Sequence, residues 1–286
     1  MIAIVDGGST KCDWVILENS GKFNLKTTTL GFNPNIINPD FIPQEINRNE
    51  ELFFLRNHIE KLFFYGSGCG TPHNAKKVED EFKAMFPHAE VSIKEDMTAA
   101  AYAAYNGVPA IICILGTGSN SCFFDGEKIR TDLPSLGFLI GDEGSGSALG
   151  KHLLRRFFMK KLPADLEAEF IKTYNLTIEE AIQKMYHNPR ANAYLGEFNK
   201  FIADHRKHPY FQNMVFDEMK NFLDYQVLPY PEAGKVEINF IGYIAYIYED
   251  ILRSAAAELN LKIGKVVQKP IESLVNYHKK YILDLI

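Results

Sequence analysis

The first candidate for chemistry is a turn rich in glycine and hydroxyl groups near the amino terminus. Asp6-Gly7-Gly8-Ser9-Thr10-Lys11 lies between two apolar segments. Its glycines leave backbone N–H groups open to an anion, its hydroxyls and lysine add further donors, and Asp6 is suited to holding Mg²⁺ through water. Such a turn could bind the phosphates of a metal–nucleotide, and taken alone it could equally be an ordinary surface hairpin.

A second turn of the same kind lies 110 residues further along the chain. Gly116-Thr117-Gly118-Ser119-Asn120 again separates two apolar segments, and a shift of 110 residues places Gly8 on Gly118 and Ser9 on Ser119. Two half-domains that begin with the same hairpin would hold one nucleotide between them. The repeat therefore favours the functional interpretation of both turns.

Acidic residues at two further positions have both a structural and a chemical interpretation. Asp96 lies between a short predicted strand and an alanine-rich predicted helix. It could be a helix N-cap, and it could also accept a proton from an attacking hydroxyl in phosphoryl transfer. Asp142-Glu143, in a glycine-rich loop, could cap the next helix or hold sugar hydroxyls, because a carboxylate accepts two donors at once. The residues alone leave both pairs of interpretations open.

Two loops give weaker signals. Asn33 could be plain turn chemistry or an amide that contacts a polar group of a substrate, and Gly242-Tyr243-Ile244-Ala245 could be an ordinary strand–helix connection or a close backbone approach to adenine. The second turn lacks the third glycine of a Rossmann motif, and no Walker A lysine is followed by serine or threonine. The sequence therefore excludes those two nucleotide-binding folds at the motif level.

Composition excludes several classes of protein. The chain has 286 residues, of which 46% are hydrophobic and 23% charged, which is enough for packed cores and favours two domains. The net charge is −5 without a lysine–arginine block, so nucleic acid is an unexpected partner. The longest apolar run, Pro109–Leu115, is far shorter than the roughly 20 residues of a membrane helix. The four cysteines form no paired spacing, which indicates buried thiols of a cytoplasmic protein.

The elements that must position these residues alternate between strand and helix, which predicts an α/β protein. We expect a first domain at 1–108 and a second at 109–286, with a helical insert at about 151–230 and a last helix, 270–286, that could pack on the first domain. The aromatic-rich helices of the insert could form a homodimer face.

Three local predictions can be compared directly with a structure. Phe41–Arg56 and Ala245–Leu259 are each predicted as one helix, and 135–146 is predicted as a loop. Thr177 and Glu180 have the spacing of a capping box at the start of a helix.

In their order along both halves, these motifs resemble the actin/hexokinase/Hsp70 ATPase superfamily, specifically its BadF/BadG/BcrA/BcrD branch, which contains N-acetylglucosamine kinases. The two turns look like its two phosphate motifs, and Gly242–Ala245 resembles its adenosine motif. Gly31-Phe32-Asn33 and Gly141–Ser145 match its sugar-contacting loops, and Asp96 falls where the family keeps its catalytic aspartate. The family's tryptophan before the glycine corresponding to Gly137 is replaced by Leu136.

The resemblance implies two ribonuclease-H-like α/β domains with a central nucleotide cleft, ATP and Mg²⁺ as cofactors, and γ-phosphate transfer to the 6-hydroxyl of an amino sugar, with N-acetylglucosamine as the first candidate. Asp96 would be the base, and Asp6 would hold Mg²⁺ through water. The implied nucleotide residues are Gly7, Gly8, Ser9, Thr10, Lys11, Gly116, Thr117, Gly118 and Gly242. The implied sugar residues are Asn33, Ser119, Asn120, Gly137, Asp142 and Glu143.

Two alternative functions remain at this stage. An ATPase that activates a dehydratase would bind an iron–sulfur cluster through loop cysteines, and 144–149 contains none. A non-catalytic sugar sensor would bind sugar without ATP turnover, and no DNA-binding segment precedes the first hairpin. The sequence leaves open the choice among N-acetylglucosamine, glucosamine, a muramic acid derivative and glucose.

Overall fold

The computed structural model describes residues 1–188 and 190–285, which divide into two compact units. The first unit combines Met1–Tyr105 with the segment that begins at Lys269, and the second unit is Asn106–Gln268. The segment that the sequence analysis placed in the second domain, with the possibility of packing on the first, is thus part of the first unit. Residue 286, where the last predicted helix was expected to end, and Pro189 within the predicted insert lie outside the described residues.

The first unit is built on a mixed five-stranded sheet in the order β3-β2-β1-β4-β5. Strands β1 to β3 are antiparallel, whereas β4 runs parallel to β1 and β5 parallel to β4. The parallel arrangement brings the carboxyl ends of β1, β4 and β5 to one edge. The strands are β1 (Ile2–Gly7), β2 (Lys11–Leu17), β3 (Phe23–Leu30), β4 (Lys61–Gly66) and β5 (Glu90–Glu95).

Four helices of the first unit come before the second unit in the chain. They are α1 (Phe41–Arg48), α2 (Glu50–Leu55), α3 (Pro72–Met85) and α4 (Asp96–Ala104). The single helix predicted over Phe41–Arg56 is wrong. Asn49 has an extended backbone that ends α1, and its side-chain oxygen accepts a hydrogen bond from the Leu52 N–H at 3.0 Å, which caps α2. The core of this unit is aromatic, with Trp14 packed edge-on against Phe82.

The second unit repeats the same sheet. Its order is β10-β9-β6-β7-β8, with β6 to β8 antiparallel and β9 and β10 parallel to β6. Each strand therefore has a counterpart in the first unit, and the predicted pair of ribonuclease-H-like α/β domains is confirmed. The strands are β6 (Ala110–Leu115), β7 (Ser119–Phe124), β8 (Ile129–Arg130), β9 (Glu237–Ile241) and β10 (Ile263–Val267).

Between β8 and β9, the described residues of the second unit form helices and connections without a strand, as predicted for the insert. The helices are α5 (Gly137–Ile140), α6 (Gly146–Phe158), α7 (Ala164–Tyr174), α8 (Ile178–Tyr186), α9 (Ala191–Glu197), α10 (Asn199–Asp204) and α11 (Pro209–Gln226). After β9 come α12 (Tyr243–Ile247) and α13 (Glu249–Glu258). The capping box of Thr177 and Glu180 is confirmed, with both reciprocal hydrogen bonds present.

Two local predictions in this unit are wrong. The predicted loop 135–146 contains the short helix α5, which is one turn long and therefore leaves little periodicity in the sequence. The single helix predicted over Ala245–Leu259 begins two residues earlier and is divided at Tyr248, which is buried and has a non-helical backbone between α12 and α13.

The chain ends in the first unit with α14 (Ile271–Tyr277) and a π-helical turn, His278–Ile282. Helix α14 packs chiefly on α4, where the rings of Tyr102 and Tyr277 stack with centroids 4.2 Å apart. Among the helices that the structure describes, none is both long and apolar enough to cross a membrane.

Candidate functional site

The first glycine–hydroxyl turn connects β1 to β2 and has the hairpin form expected from the sequence. The Gly8 N–H donates to the Lys11 carbonyl at 2.9 Å, and the Gly31 N–H donates to the Thr10 carbonyl at 2.9 Å. A Cβ atom on Gly7 would come within 2.5 Å of the Phe64 ring, so a residue without a side chain is required there. The Lys11 ammonium lies 2.7 Å from the Asp13 carboxylate. The turn is therefore a fixed part of the sheet edge, with Thr10 and Lys11 exposed.

Two carboxylates lie near this turn. Asp6 is on β1, and Asp96 is the first residue of α4, directly after β5. Burial first, then the negative charges of Asp96 and Asp13, raise the pKa of Asp6 to about 7, and Lys11 opposes them. Burial also raises the pKa of Asp96, against the hydrogen bonds that its carboxylate accepts from the Met97 N–H and the Ser67 hydroxyl. Asp96 lies one residue inside its helix, so Glu95, not Asp96, occupies the N-cap position.

These carboxylates fit the Mg²⁺ that the family resemblance implies. Two mutually repelling acidic groups in a partly desolvated site are stabilised by a cation, and Mg²⁺ prefers oxygen ligands. Nowhere in the described ranges do three His, Cys, Asp or Glu side chains form a group that could hold a metal. Asp6 and Asp96 could supply one or two oxygens to such an ion, with water and phosphate oxygens as its other ligands.

A chain of side-chain hydrogen bonds connects Asn33 to Asp96. The Asn33 amide donates to the Ser9 hydroxyl at 2.9 Å, and the Ser9 hydroxyl donates to the Ser67 hydroxyl at 3.4 Å. Ser67 in turn donates to Asp96. Two residues singled out in the sequence, Asn33 and Ser9, are thus linked to the candidate base through Ser67, which sequence reasoning missed.

The position of Ser67 in the sequence held a usable signal. Ser67 and Gly68 directly follow β4, whose carboxyl end lies at the same sheet edge as those of β1 and β5. A Cβ atom on Gly68 would come 2.3 Å from the Asn33 side-chain oxygen, so this turn and the Asn33 loop pack tightly together. Asn74, at the start of α3, donates to both the Gly68 carbonyl at 2.8 Å and the Asn35 side chain at 2.9 Å. The Asn35 N–H in turn donates to the Asn33 side-chain oxygen at 3.0 Å, which orients the Asn33 amide.

The second glycine–hydroxyl turn connects β6 to β7 and lies against the amino terminus of α6. The Gly116 N–H donates to the Gly118 carbonyl at 3.0 Å. The Gly146 and Ser147 N–H groups donate to the carbonyls of Gly116 at 2.8 Å and Thr117 at 3.0 Å. The Thr117 side chain remains exposed, next to the positive end of the helix dipole. The surroundings of Thr117 therefore suit an anion.

Asp142 lies directly against this turn. Its carboxylate accepts a hydrogen bond from the Ser119 N–H at 3.1 Å, and a Cβ atom on Gly118 would come 3.0 Å from the same carboxylate. Asp142 has a φ of 60°, in the left-handed region that aspartate adopts more readily than most residues. Burial raises the pKa of Asp142, whereas the Ser119 N–H lowers it.

The other predicted sugar residues of the second unit are less closely connected. The side-chain oxygen of Asn120 accepts from the Ser121 N–H at 2.9 Å, so it is used locally. The Ser119 hydroxyl is buried without a hydrogen-bond partner among the described residues. Glu143 is partly buried next to Asp142, and Gly137 begins α5 with open space around it.

Gly242 lies at the carboxyl end of β9, next to the second turn. Its φ is 121°, and a Cβ atom would come within 2.3 Å of the Leu115 carbonyl and 3.3 Å of the Gly116 nitrogen. Its N–H donates to the Val267 carbonyl at 2.8 Å. Only glycine allows the backbone to pass this close to the turn.

The structure therefore joins the predicted residues in two groups, one in each unit. In the first unit, Asp6, Ser9, Asn33 and Asp96 gather around the β1–β2 turn and the β4 end. In the second unit, Gly242 and Asp142 adjoin the turn at Gly116–Ser119. The predicted sugar residues are divided between the units, with Asn33 in the first and the others in the second.

Comparison with known proteins gives a family and a fold. The model of the BadF/BadG/BcrA/BcrD ATPase family matches residues 5–207. No curated protein matches the sequence. Among solved structures, a protein from Porphyromonas gingivalis, provisionally named an N-acetylglucosamine kinase, is 36% identical to this chain, with a TM-score of 0.91. The match covers 98% of this chain and 99% of that protein.

Two more distant structures share the fold. A protein from Chromobacterium violaceum, also provisionally named an N-acetylglucosamine kinase, is 16% identical with a TM-score of 0.72, and the match covers 97% of this chain and 99% of that one. A ROK family glucokinase from Streptomyces griseus, solved with glucose and AMPPNP, is 15% identical with a TM-score of 0.55, over 96% of this chain and 97% of that one. The predicted actin/hexokinase-type fold is confirmed.

Proposed function

We propose that this chain, which belongs to the BadF/BadG/BcrA/BcrD ATPase family, is an ATP-dependent sugar kinase. The proposed reaction transfers the γ-phosphate of ATP to the 6-hydroxyl of an amino sugar, with N-acetylglucosamine as the first candidate. The observation that carries the proposal is the position of Asp96: a half-buried carboxylate directly after the carboxyl end of β5, held by Ser67 and linked to Asn33. The 36% identity to the P. gingivalis protein supports the same activity.

In the proposed mechanism Asp96 is the general base. Its carboxylate would accept the proton of the sugar hydroxyl as the hydroxyl oxygen attacks the γ-phosphorus and the bond to ADP breaks. Burial raises the pKa of Asp96, which makes the carboxylate a stronger proton acceptor, while the Ser67 hydroxyl keeps one of its oxygens oriented. General-base catalysis of this kind contributes roughly 10²–10⁴ in rate.

The phosphates and the metal are assigned to the two turns. Thr10 and Lys11 in the first unit, and Thr117 with Gly118 in the second, would donate to phosphate oxygens. Asp6 would hold Mg²⁺ through water, and the bound ion would neutralise charge on the phosphate oxygens. Gly242, whose backbone has room for no side chain, is assigned to the adenosine end of the nucleotide.

The sugar is assigned to amide, hydroxyl and carboxylate groups. Asn33 would contact it from the first unit, where two asparagines and a glycine fix the loop. Ser119, Asn120, Asp142 and Glu143 would contact it from the second unit, with Gly137 leaving space. Carboxylates that accept two hydroxyl donors at once are suited to neighbouring sugar hydroxyls.

A coupled assay for ADP release tests the proposal. N-acetylglucosamine, glucosamine, N-acetylmuramic acid and glucose would each be supplied with Mg·ATP, and we expect sugar-dependent turnover that is highest for N-acetylglucosamine. ADP release at the sugar-free rate with every sugar would refute the kinase. Sugar binding without turnover would instead favour the sensor, and iron in the purified protein would favour the dehydratase activator.

We also propose a cytoplasmic homodimer as the working form. All four cysteines are buried free thiols, as expected for a reducing compartment. Exposed apolar residues on the insert helices, namely Ile171, Ile178, Ile182 and Tyr186, form the candidate interface. Sedimentation analysis of the wild-type protein and of Ile182→Lys tests this, since a monomeric wild type would contradict it.

A further inference from the structure

A buried carboxylate on α11 contacts the loop that contains Asp142. Glu218 is 5% exposed, and its carboxylate accepts hydrogen bonds from the Gly144 N–H at 3.3 Å, from Asn221 at 3.2 Å and from His152 Nε2 at 2.9 Å. No motif of the sequence includes Glu218, and it lies in the helical insert, for which the sequence analysis assigned no role in binding.

His152, which donates to Glu218, is itself hydrogen-bonded through its other ring nitrogen. His152 Nδ1 lies 2.9 Å from an Arg156 guanidinium nitrogen and 3.3 Å from one of Arg155. A guanidinium only donates, so Nδ1 accepts from the arginines, and Nε2 carries the N–H that donates to Glu218. Burial raises the pKa of Glu218, but His152 and the Gly144 N–H outweigh it and leave the pKa below its ordinary value. Glu218 therefore accepts these bonds as a carboxylate.

The backbone of the loop also lies directly on α11. Gly144 has a φ of 70°, and a Cβ atom there would come 2.8 Å from the Phe222 Cβ and 3.3 Å from the Glu218 carbonyl. Two residues earlier, Asp142 is bound to the Ser119 N–H. The segment that contains Asp142 and Glu143 is thus fixed at both ends, by the β6–β7 turn on one side and by Glu218 on the other.

We propose that Glu218 is a positioning residue for the sugar site, which holds Gly144 so that the carboxylates of Asp142 and Glu143 keep the geometry needed to bind the hydroxyls of an amino sugar. This inference rests on the proposed sugar kinase function. It assigns the helical insert a part in sugar affinity. It predicts that a substitution of Glu218 weakens the binding of the sugar and not the binding of the nucleotide.

A purely structural role would give a different result. If Glu218 only joined α11 to α6 through His152, its loss would lower thermal stability and reduce active protein without changing the Michaelis constant for either substrate. A split between the two Michaelis constants therefore distinguishes positioning from stability.

Glu218→Gln is the main variant. Glutamine has the same shape but offers one acceptor oxygen to the three donors, and its NH₂ group must face a donor. Asp217→Asn is the matched control, since it makes the same chemical change at the neighbouring, exposed position of the same helix. His152→Gln is a second variant, which loses the bond to Glu218 from the other side and serves if Glu218→Gln does not fold.

Two measurements test the proposal in these variants. Amide hydrogen exchange of peptides that span 141–146 should be roughly 10-fold faster in Glu218→Gln than in the wild type, because a hydrogen bond to a charged group is lost. The KM for N-acetylglucosamine should rise roughly 10-fold, with the KM for ATP unchanged within about twofold. Asp217→Asn should match the wild type in both.

The outcomes separate this inference from the proposed function. Unchanged exchange at 141–146, or faster exchange with unchanged sugar KM, overturns the positioning role, as does an equal rise in both Michaelis constants. A wild-type protein that phosphorylates no sugar of the panel overturns the kinase, while the exchange measurement still reports whether Glu218 holds the loop.

Discussion

The hydroxyl of Tyr65 lies 2.7 Å from Nε2 of His278, and both side chains are buried although 213 positions separate them in the chain. Tyr65 is at the end of β4, and His278 begins the π-helical turn after α14. The second ring nitrogen of His278, Nδ1, is buried without a hydrogen-bond partner among the described residues. This pair joins the carboxyl-terminal segment to the sheet that contains Asp6.

The pair should make the protein sensitive to acid. Burial, with Lys94 as a second cause, lowers the pKa of His278 to about 3, whereas an unfolded histidine titrates near 6.5. Below pH 6.5 the unfolded chain binds the proton more readily, so stability from this residue is lost as the pH falls from 6.5 toward 3. Between pH 6.5 and 5 the wild type should lose about 2 kcal/mol of unfolding free energy through His278, and His278→Gln should not show this loss.

Thermal unfolding at a series of pH values measures this effect. His73→Gln is the control, because it makes the same chemical change at an exposed histidine. An equal dependence of Tm on pH in the wild type and His278→Gln would contradict the prediction.

Asp6 should show the opposite dependence on pH. Its pKa is raised to about 7 from 3.8, chiefly by burial and then by Asp96, so its ionised form destabilises the fold. Stability from this residue is present at low pH and is lost as the pH rises from 3.8 through 7. Asp6→Asn should therefore raise Tm at pH 8 by roughly 2 °C or more, by less at pH 5, and should abolish turnover. Calorimetry at both pH values measures these changes in Tm. A Tm at pH 8 that is lower for Asp6→Asn than for the wild type would argue against the raised pKa.

Asp96→Asn tests the proposed base. The variant should fold normally and lose roughly 10²–10⁴ in kcat, the usual contribution of a general base. Asp80→Asn, at an exposed position of α3, is the matched control and should keep full activity. The measurement is steady-state ADP release, and near-normal turnover by Asp96→Asn would show that another group accepts the proton.

Ser67→Ala tests whether the hydrogen-bond chain acts through Asp96. The Ser67 hydroxyl lowers the pKa of Asp96, so its removal should raise that pKa and shift the acid side of the pH–rate profile to higher pH. We also expect kcat to fall roughly 10-fold, the value of one hydrogen bond to a charged group. Ser20→Ala, at an exposed turn, is the control. A lower kcat with an unmoved profile would mean that Ser67 does not act through Asp96.

The turns could be predicted from the sequence because their signal is local. Glycine and hydroxyl residues between two apolar strands determine the hairpins at Gly8 and Gly118 within a few positions. The position of Asp96 between a strand and a helix could be predicted for the same reason, whereas its role as the base stays a prediction. Short breaks such as Asn49 were missed because a cap competes with helix periodicity over only one or two residues.

The contacts that position these groups are not local. Ser67 meets Ser9 across 58 positions, and Glu218 meets Gly144 across 74. Within α11, Glu218 lies four residues after Met214 and four before Phe222, so helix periodicity places it on the buried face. Its partners Gly144 and His152 come from distant segments, and no pattern within α11 identifies them.

The return of the chain to the first unit at Lys269 has a consequence during synthesis on the ribosome. Helix α14 covers α4, an alanine-rich helix whose residues 97–101 are buried in the finished protein. At roughly 5–20 residues per second, the whole second unit is translated before that cover emerges. The first unit to be made is therefore the last to be completed.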